Sequence, residues 1–433
     1  MSEITVGIIA CFVLLLLFAA GLELAFGMAL LGFVGFAYLV SFTAASNLIV
    51  KDFFDTFINY GFTVIPMFVL MGQIASHSDI ARRLYMAAHK FVGHIPGGLA
   101  MTTVAGATLF KAICGSTLAT AAAFAGIAIP EMDRYKYDKR LSTGVVASVG
   151  TLGVLIPPSI VLIIYAIIVE ESIGRMFLAG IVPGIVIALF FIVVIYGWVR
   201  INPAAAPGTP PASWSERVRT LPEFLWVSVI FFVIIGGMLG GFFSPTEAGS
   251  IGTLAVLILA AARKELTLKG LVLSVSESLR TACMVITLIA GSMVLGHFLA
   301  VTEIPFRAAD WILGLPIPPS LIMCFIILIY LIGGTFIDDL AFMILATPIF
   351  YPAVIQLGYD PVWFGIVILI TIMIGVVIPP VAMCVFVVRG ITGVPINVIY
   401  RGCLPFILSL VACLALLFLF PSLAYFLPNL LMK

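Results

Sequence analysis

The chain has 433 residues, 63% of them hydrophobic and only 9% charged, with a mean hydropathy of +1.27 and a formal net charge of +1. This composition excludes a soluble globular domain, whose surface needs about a quarter or more of charged residues. It leaves a protein of the lipid bilayer, in which the placement of charge says more than its sum, and no nucleic-acid partner is expected.

In chain order, apolar runs long enough to cover about 30 Å of hydrocarbon predict spans at about 4–20, 25–43, 57–76, 141–169, 176–199, 223–241, 247–262, 280–300, 361–391 and 401–427. The first run has no Lys or Arg before it and no small-residue cleavage site after it, so it reads as a retained helix and not as a signal peptide. Two stretches, 98–130 and 319–352, are too long for one crossing and too short for two: their 33 and 34 residues would make roughly 50 Å of helix. Re-entrant hairpins fit. Amphipathic segments at Asp79 to Val92 and Phe306 to Leu315 precede the hairpins and are expected to lie along the interface as arms. Residues 201–222, rich in Pro and Ala over 202–215, are expected to be a cytoplasmic linker between residues 1–200 and 223–433.

With both hairpins in place, sixteen of the 21 Lys and Arg residues collect on one side, Arg82, Arg83, Lys136, Arg217, Arg263 and Arg401 among them. The positive-inside tendency makes that side cytoplasmic. Lys51, Arg175, Arg307 and Lys433 stay on the other side, and Lys111, inside the first hairpin, is expected to snorkel back to the cytoplasmic interface. Both termini then face the periplasm, as do the connections 44–56 and 301–318, and the two hairpins enter from opposite sides.

An internal repeat supports this topology. The segment IPEMDRYKYD…GVLIPPS (Ile129 to Ser159) returns as YPAVIQLGYD…GVVIPPV (Tyr351 to Val381) at a constant offset of 222. Pro130 and Pro352, Tyr137 and Tyr359, Asp138 and Asp360, Gly153 and Gly375, Pro157 and Pro379, Pro158 and Pro380, Gly180 and Gly402, and Pro183 and Pro405 all obey it. Aligned apolar residues would mean little in such a chain; aligned Pro, Gly and Tyr-Asp pairs do. A Pro-Pro pair inside an apolar helix removes donors and breaks it. Irregular backbone at membrane depth persists only where it lines a protein cavity. The fold expected is therefore all-α and integral to the membrane, with about 10–11 transmembrane helices, two re-entrant hairpins and two proline-broken helices arranged as inverted repeats.

The hairpins turn through Cys114-Gly115-Ser116-Thr117 and through Gly333-Gly334-Thr335-Phe336-Ile337-Asp338-Asp339. Hydroxyl and carbonyl oxygens at such tips suit a hard cation such as Na⁺, and helix N-termini suit a carboxylate. One Na⁺ is expected between the first tip and Ile156-Pro157-Pro158-Ser159, and one between the second tip and Ile378-Pro379-Pro380. Ser116, Pro158, Ser159, Thr335 and Pro380 are candidate substrate contacts. Asp338 and Asp339 are acids at membrane depth and functional candidates by default, although one of them can simply cap the returning helix. The first tip has no acid at the matching place. His297 is read as a packing residue before a proton carrier. Ser244-Pro245-Thr246-Glu247 is a capping box and not a site. The seven cysteines have no CxxC spacing, so neither a transition metal nor a disulfide is expected. No cofactor is expected, and no nucleotide-binding glycine loop points to ATP.

GST in a hairpin, GTLGVLIPPSIVLIIYA, SIGRMFLAGIVPG, FFSPTEAG and GVVIPPVAMCVF together resemble the large membrane (permease) subunit of TRAP transporters, the tripartite ATP-independent periplasmic family. The resemblance runs over nearly the whole chain. It implies a bacterial inner-membrane location and an elevator mechanism with Na⁺ as coupling ion. It also implies a small four-helix membrane subunit, and a periplasmic substrate-binding protein that delivers a carboxylate. Carried over, Gly115, Ser116 and Thr117 with the carbonyls near Ile156 and Pro157 match a first sodium site. Gly334, Thr335 and Asp338 with those near Ile378 and Pro379 match a second. A stand-alone sodium/dicarboxylate or anion symporter of related architecture is the rival expectation.

Overall fold

The computed structural model describes residues 2–314 and 316–432; Leu315 and Lys433, which belong to expectations above, lie outside the described residues. The first half runs through α1 (Glu3–Ala19), α2 (Leu24–Leu39), α3 (Phe42–Ile58), α4 (Val64–Ser76), α5 (Ile80–Val92), α6 (Gly98–Cys114), α7 (Thr117–Arg134), α8 (Lys139–Thr151), α9 (Ile160–Ile168) and α10 (Ile173–Ile201). The second runs through α11 (Trp214–Leu239), α12 (Pro245–Ala262), α13 (Leu268–Val301), α14 (Ile304–Leu313), α15 (Pro319–Phe336), α16 (Asp339–Gln356), α17 (Pro361–Gly375), α18 (Met383–Thr392) and α19 (Ile396–Leu419), and α20 (Ser422–Leu431) follows.

The offset of 222 reappears in these bounds. Shifted by it, α7 falls on α16 at both ends, and the last residue of α6 falls on the last residue of α15. The long-range packing swaps in the same way. α2 packs on α13 and α4 on α12; α8 packs on α19 and α10 on α17; α7 packs on α18 and α9 on α16. Each pair is the other's mate under the repeat, so the two halves interlock about one pseudo-two-fold axis.

Seven described helices are long and apolar enough to cross a membrane, or eight when α3 and α4 count as one span bent by 52°. These differ from the ten spans read from the sequence: α15 and α16, arms of the second hairpin, are among the seven, whereas α1 and α2 are shorter, with 17 and 16 residues, and each broken helix is divided at its break. The hairpin arms α6, α7, α15 and α16 have 17 or 18 residues, roughly 26 Å at 1.5 Å per residue, and each pair turns within two residues.

Three expectations change. The connection 44–56 lies inside α3, and the bend follows it, where the Asn59 side chain accepts from Gly61 N at 2.8 Å and competes with helix continuation. Residues 214–222 of the linker already belong to α11, which a second capping box starts: Ser213 Oγ accepts from Glu216 N while Ser213 N donates to Glu216 Oε2. The rest of the linker is tied down. Gly97 N donates to Ala206 O at 2.9 Å, Asp138 N to Ala205 O at 2.8 Å and Thr209 N to Gly93 O at 3.0 Å. The predicted box at Ser244 is present, with Ser244 N donating to Glu247 Oε2 at 2.7 Å.

The arms α5 and α14 form as helices, and both bounds agree with the amphipathic segments to within a few residues. On the charge-rich side, Arg83 pairs with Glu265 and Arg263 with Glu223, tying α5 to α11 and α12. The Tyr-Asp pairs of the repeat have a structural reason. Asp138 and Asp360 are the N-caps of α8 and α17, accepting from Arg140 N at 2.8 Å and Val362 N at 2.7 Å. Tyr137 Oη accepts from Leu99 N, and Tyr359 stacks on Trp363.

Candidate functional site

α6 ends at Gly115, whose φ of +61° is easy only for glycine. A Cβ there would also lie 2.8 Å from Pro158 O, so the first tip closes directly on the first break. Ser116 then caps α7, its hydroxyl accepting from Ala119 N at 3.3 Å. The second tip has the same length but turns through Ile337, the mate of Gly115, in extended conformation with φ −113°. Ile337 N donates to Gly333 O at 3.0 Å, and Asp338, the mate of Ser116, caps α16 by accepting from Leu340 N. Gly375 packs against Gly334, and Val381 N donates to Thr335 O at 3.2 Å, so this tip also closes on its break.

The two tips meet. Thr117 Oγ1 donates to Asp339 Oδ2 at 3.3 Å, and these residues are 222 apart, hence mates under the repeat. Two mates that touch lie on the pseudo-two-fold axis. Beside them is a cavity of about 620 Å³, lined by Gly115, Ser116 and Thr117 of the first tip, Asp338 and Asp339 of the second, and the first arm residues of α7. Gln73, Ser76 and His77 at the end of α4 and Glu277 and Thr281 of α13 also line it. His77 Nε2 and Glu277 Oε2 are 3.6 Å apart there.

Among the described residues, the expected substrate contacts Pro158, Ser159, Thr335 and Pro380 are not in that lining, whereas Ser116 is. Ser159 is buried with its hydroxyl donating to Val154 O at 2.7 Å, and the Thr335 hydroxyl donates to Ile332 O at 2.7 Å. Both acids accept from Leu340 N, Asp338 as the N-cap at 3.3 Å and Asp339 at 2.9 Å, and of the two only Asp339 also spans the tips. The wall from α4 and α13 escaped the sequence reading; helical polar residues near a span end carry no signal of which cavity they face. His297 Nδ1 lies 2.9 Å from Asp52 Oδ2, pairing α13 with α3 away from the cavity lining.

Lys111 overturns its expectation. It is fully buried in the last turn of α6, and its ammonium donates to Ser116 O at 2.6 Å instead of reaching the interface. The glycine at 153 makes room: any side chain there would overlap the Lys111 side chain. The expected first sodium residues Gly115, Ser116, Thr117, Ile156 and Pro157 therefore surround a tip that already holds a cation. At the second tip Gly334, Thr335 and Asp338 lie together, with Ile378 and Pro379 at the break beside them, and no basic side chain among these residues competes.

The family described as "Tripartite ATP-independent periplasmic transporter, DctM component" matches residues 10–423. The C4-dicarboxylate TRAP transporter large permease protein DctM of Pseudomonas aeruginosa is 35% identical over 87% of this chain and 88% of its own. The sialic acid TRAP transporter large permease protein SiaM of Vibrio cholerae is 32% identical over 92% and 93%. Among solved structures, the YdaH transporter of Alcanivorax borkumensis, described as having an unusual topology, superposes with a TM-score of 0.56 at 12% identity. That match covers 88% of this chain and 90% of the other, a likeness of fold alone.

Proposed function

The chain belongs to the tripartite ATP-independent periplasmic (TRAP) transporter family as a DctM component, and from that premise we propose that it couples Na⁺ entry to uptake of a small carboxylate delivered by a periplasmic binding protein. It is a multi-pass permease of the bacterial inner membrane and not an enzyme. The observation that carries the coupling proposal is the meeting of two hairpin tips over one cavity, bridged by Thr117 and Asp339. Unwound backbone and helix ends converge there, which is where transporters of inverted-repeat design hold ions and substrate.

Each tip is a cation position. The second takes Na⁺ between Gly334, Thr335 and Asp338 and the carbonyls near Ile378 and Pro379. The first is formed by Gly115, Ser116 and Thr117 with the carbonyls near Ile156 and Pro157. The substrate carboxylate binds between them in the cavity, touching Ser116 and approached by Pro158, Ser159, Thr335 and Pro380 when the tips part. His77 and Glu277, in the cavity wall, stand close in sequence to Arg82, Arg83 and Arg280, on the side read as cytoplasmic, which supports a conformation open to the cytoplasm. In an elevator cycle the hairpins and broken helices, α6–α9 and α15–α18, slide past a scaffold of α1–α4 and α11–α13. The division into repeats at 1–200 and 223–433 belongs to the same reading.

A tripartite family supplies two further components, here a small four-helix membrane subunit and the binding protein. Two of the relatives are named for C4-dicarboxylate and sialic acid, both carboxylates, which supports that substrate class. The test is reconstitution of the permease with its small subunit in vesicles with a Na⁺ gradient. Uptake is expected to be silent until the cognate binding protein is added. Na⁺-driven uptake by this polypeptide alone would establish the stand-alone symporter instead.

A further inference from the structure

Among the described residues Lys111 is the only Lys or Arg that is buried. Burying an ammonium without compensation is costly, so its surroundings must be built for a cation. They are. Ser116 O accepts from it at 2.6 Å while also accepting from Thr120 N at 3.2 Å, and the next residue, Thr117, donates to the carboxylate of Asp339. The side chain lies against Gly153, in the last turn before the break. Its head therefore occupies the gap between tip and broken helix.

The pseudo-symmetry sharpens this. The mate of Lys111 is Gly333, where the Phe342 ring fills the space that a side chain would take. The mates of Ser116 and Thr117 are Asp338 and Asp339. One tip thus brings a positive charge and no acid, the other two acids and no positive charge, on one backbone plan.

We propose that the Lys111 ammonium is a built-in cation that takes the place of Na⁺ at the first tip, so that this chain couples transport to Na⁺ at the second tip only. A lysine head is a compact, monovalent point charge that carbonyl oxygens can satisfy, which is what the exchange requires. The inference rests on the proposed Na⁺-coupled reading and narrows it.

The experiment compares the wild-type transporter, assembled with its small subunit and binding protein, with Lys111→Ala. Lys111→Ser serves as a second variant if the first does not fold. Two readouts are taken: the Na⁺ dependence of uptake, and the Na⁺-dependent thermal stabilisation of the purified membrane complex, which reports binding without transport. Emptying the site should let a second Na⁺ bind. A Hill coefficient cannot exceed the number of sites, so it is expected to rise from about 1 to as much as about 2 in the variants. A further Na⁺-dependent rise in melting temperature, absent from the wild type, should accompany it. Identical Na⁺ dependence in wild type and variants overturns the inference and leaves Na⁺ coupling standing. Loss of substrate affinity with an unchanged Na⁺ order also overturns it, because Lys111 would then pair the substrate. Absence of any Na⁺ effect in all forms overturns both readings.

Discussion

The first hairpin and its break are buried and carry a lysine; the second pair carries two acids, and its Pro379 and Pro380 are exposed where Pro157 and Pro158 are not. Both pairs share their turn lengths, their caps and their Pro-Pro breaks. Backbone geometry was therefore duplicated while charge was not. The prolines of the breaks, Gly153 and Gly375, and the capping Asp138 and Asp360 obey the offset. The tip residues, Lys111, Gly115, Ser116 and Thr117 against Gly333, Ile337, Asp338 and Asp339, depart from it.

The largest effect is expected at Asp339. It is buried and accepts from Thr117 across the tips, and leaving a buried polar partner unsatisfied costs about 1–3 kcal/mol, more where a charged group is involved. Asp339→Asn should lower uptake by about 100-fold or more. Asp338→Asn should do less, because an asparagine can still cap α16 and keeps a carbonyl oxygen for the proposed Na⁺. Equal losses in the two variants, measured at matched expression, would remove the distinction between spanning and capping.

Gly153 comes next. Gly153→Ala forces a methyl into the space of Lys111, and overpacking of this kind costs about 1–3 kcal/mol. The double variant with Lys111→Ala should regain much of that loss in melting temperature. Additive losses would mean that the two residues do not share the gap.

The hydroxyls separate the tips more finely. Thr117→Val removes the donor to Asp339 and should weaken transport by roughly 5- to 150-fold, for about 1–3 kcal/mol. Thr335→Val should have the smaller effect on transport, because that hydroxyl already donates to Ile332 O and only its oxygen lone pair is left for the proposed Na⁺; an unchanged Na⁺ affinity would remove it from the ion. Smallest is Asp138→Ala, a lost cap worth about 1 kcal/mol with transport kinetics unchanged. The Arg140 guanidinium beside Asp138 holds its carboxyl below the usual carboxylate range. Its stabilising contribution is therefore present above about pH 4 and disappears as pH falls through its lowered folded value. A thermal-melting series over acid pH should show the wild-type advantage over the variant shrink in that window.

The fold was legible in the sequence because its instructions are residues with few substitutes. Pro157-Pro158 and Pro379-Pro380 break helices wherever they stand, and Gly115 and the N-caps Ser116 and Asp338 mark the turns. The bend between α3 and α4 was not legible, since a single Asn59 side chain turning back on Gly61 leaves no periodic trace. The site was half legible. Hydroxyls and acids at the tips announce themselves, but the bond from Lys111 to Ser116 O reaches across the turn, and its vacant space comes from Gly153, 42 residues further along in the turn after α8. A lysine near a helix end otherwise reads as a snorkelling residue. The polar wall of α4 and α13 depends on packing between halves that no local pattern records.

The inverted repeat requires the two hairpin modules to face opposite sides of the membrane. The direct measurement is labelling by an impermeant thiol reagent in intact cells and inverted vesicles, with single cysteines at Lys136 and Gln356 and the exposed native Cys283 and Cys324 replaced. The account predicts that position 136 labels only from the cytoplasm and position 356 only from the periplasm. Labelling of both from the same side would contradict the inverted repeat and, with it, the meeting of two opposed hairpins at Thr117 and Asp339.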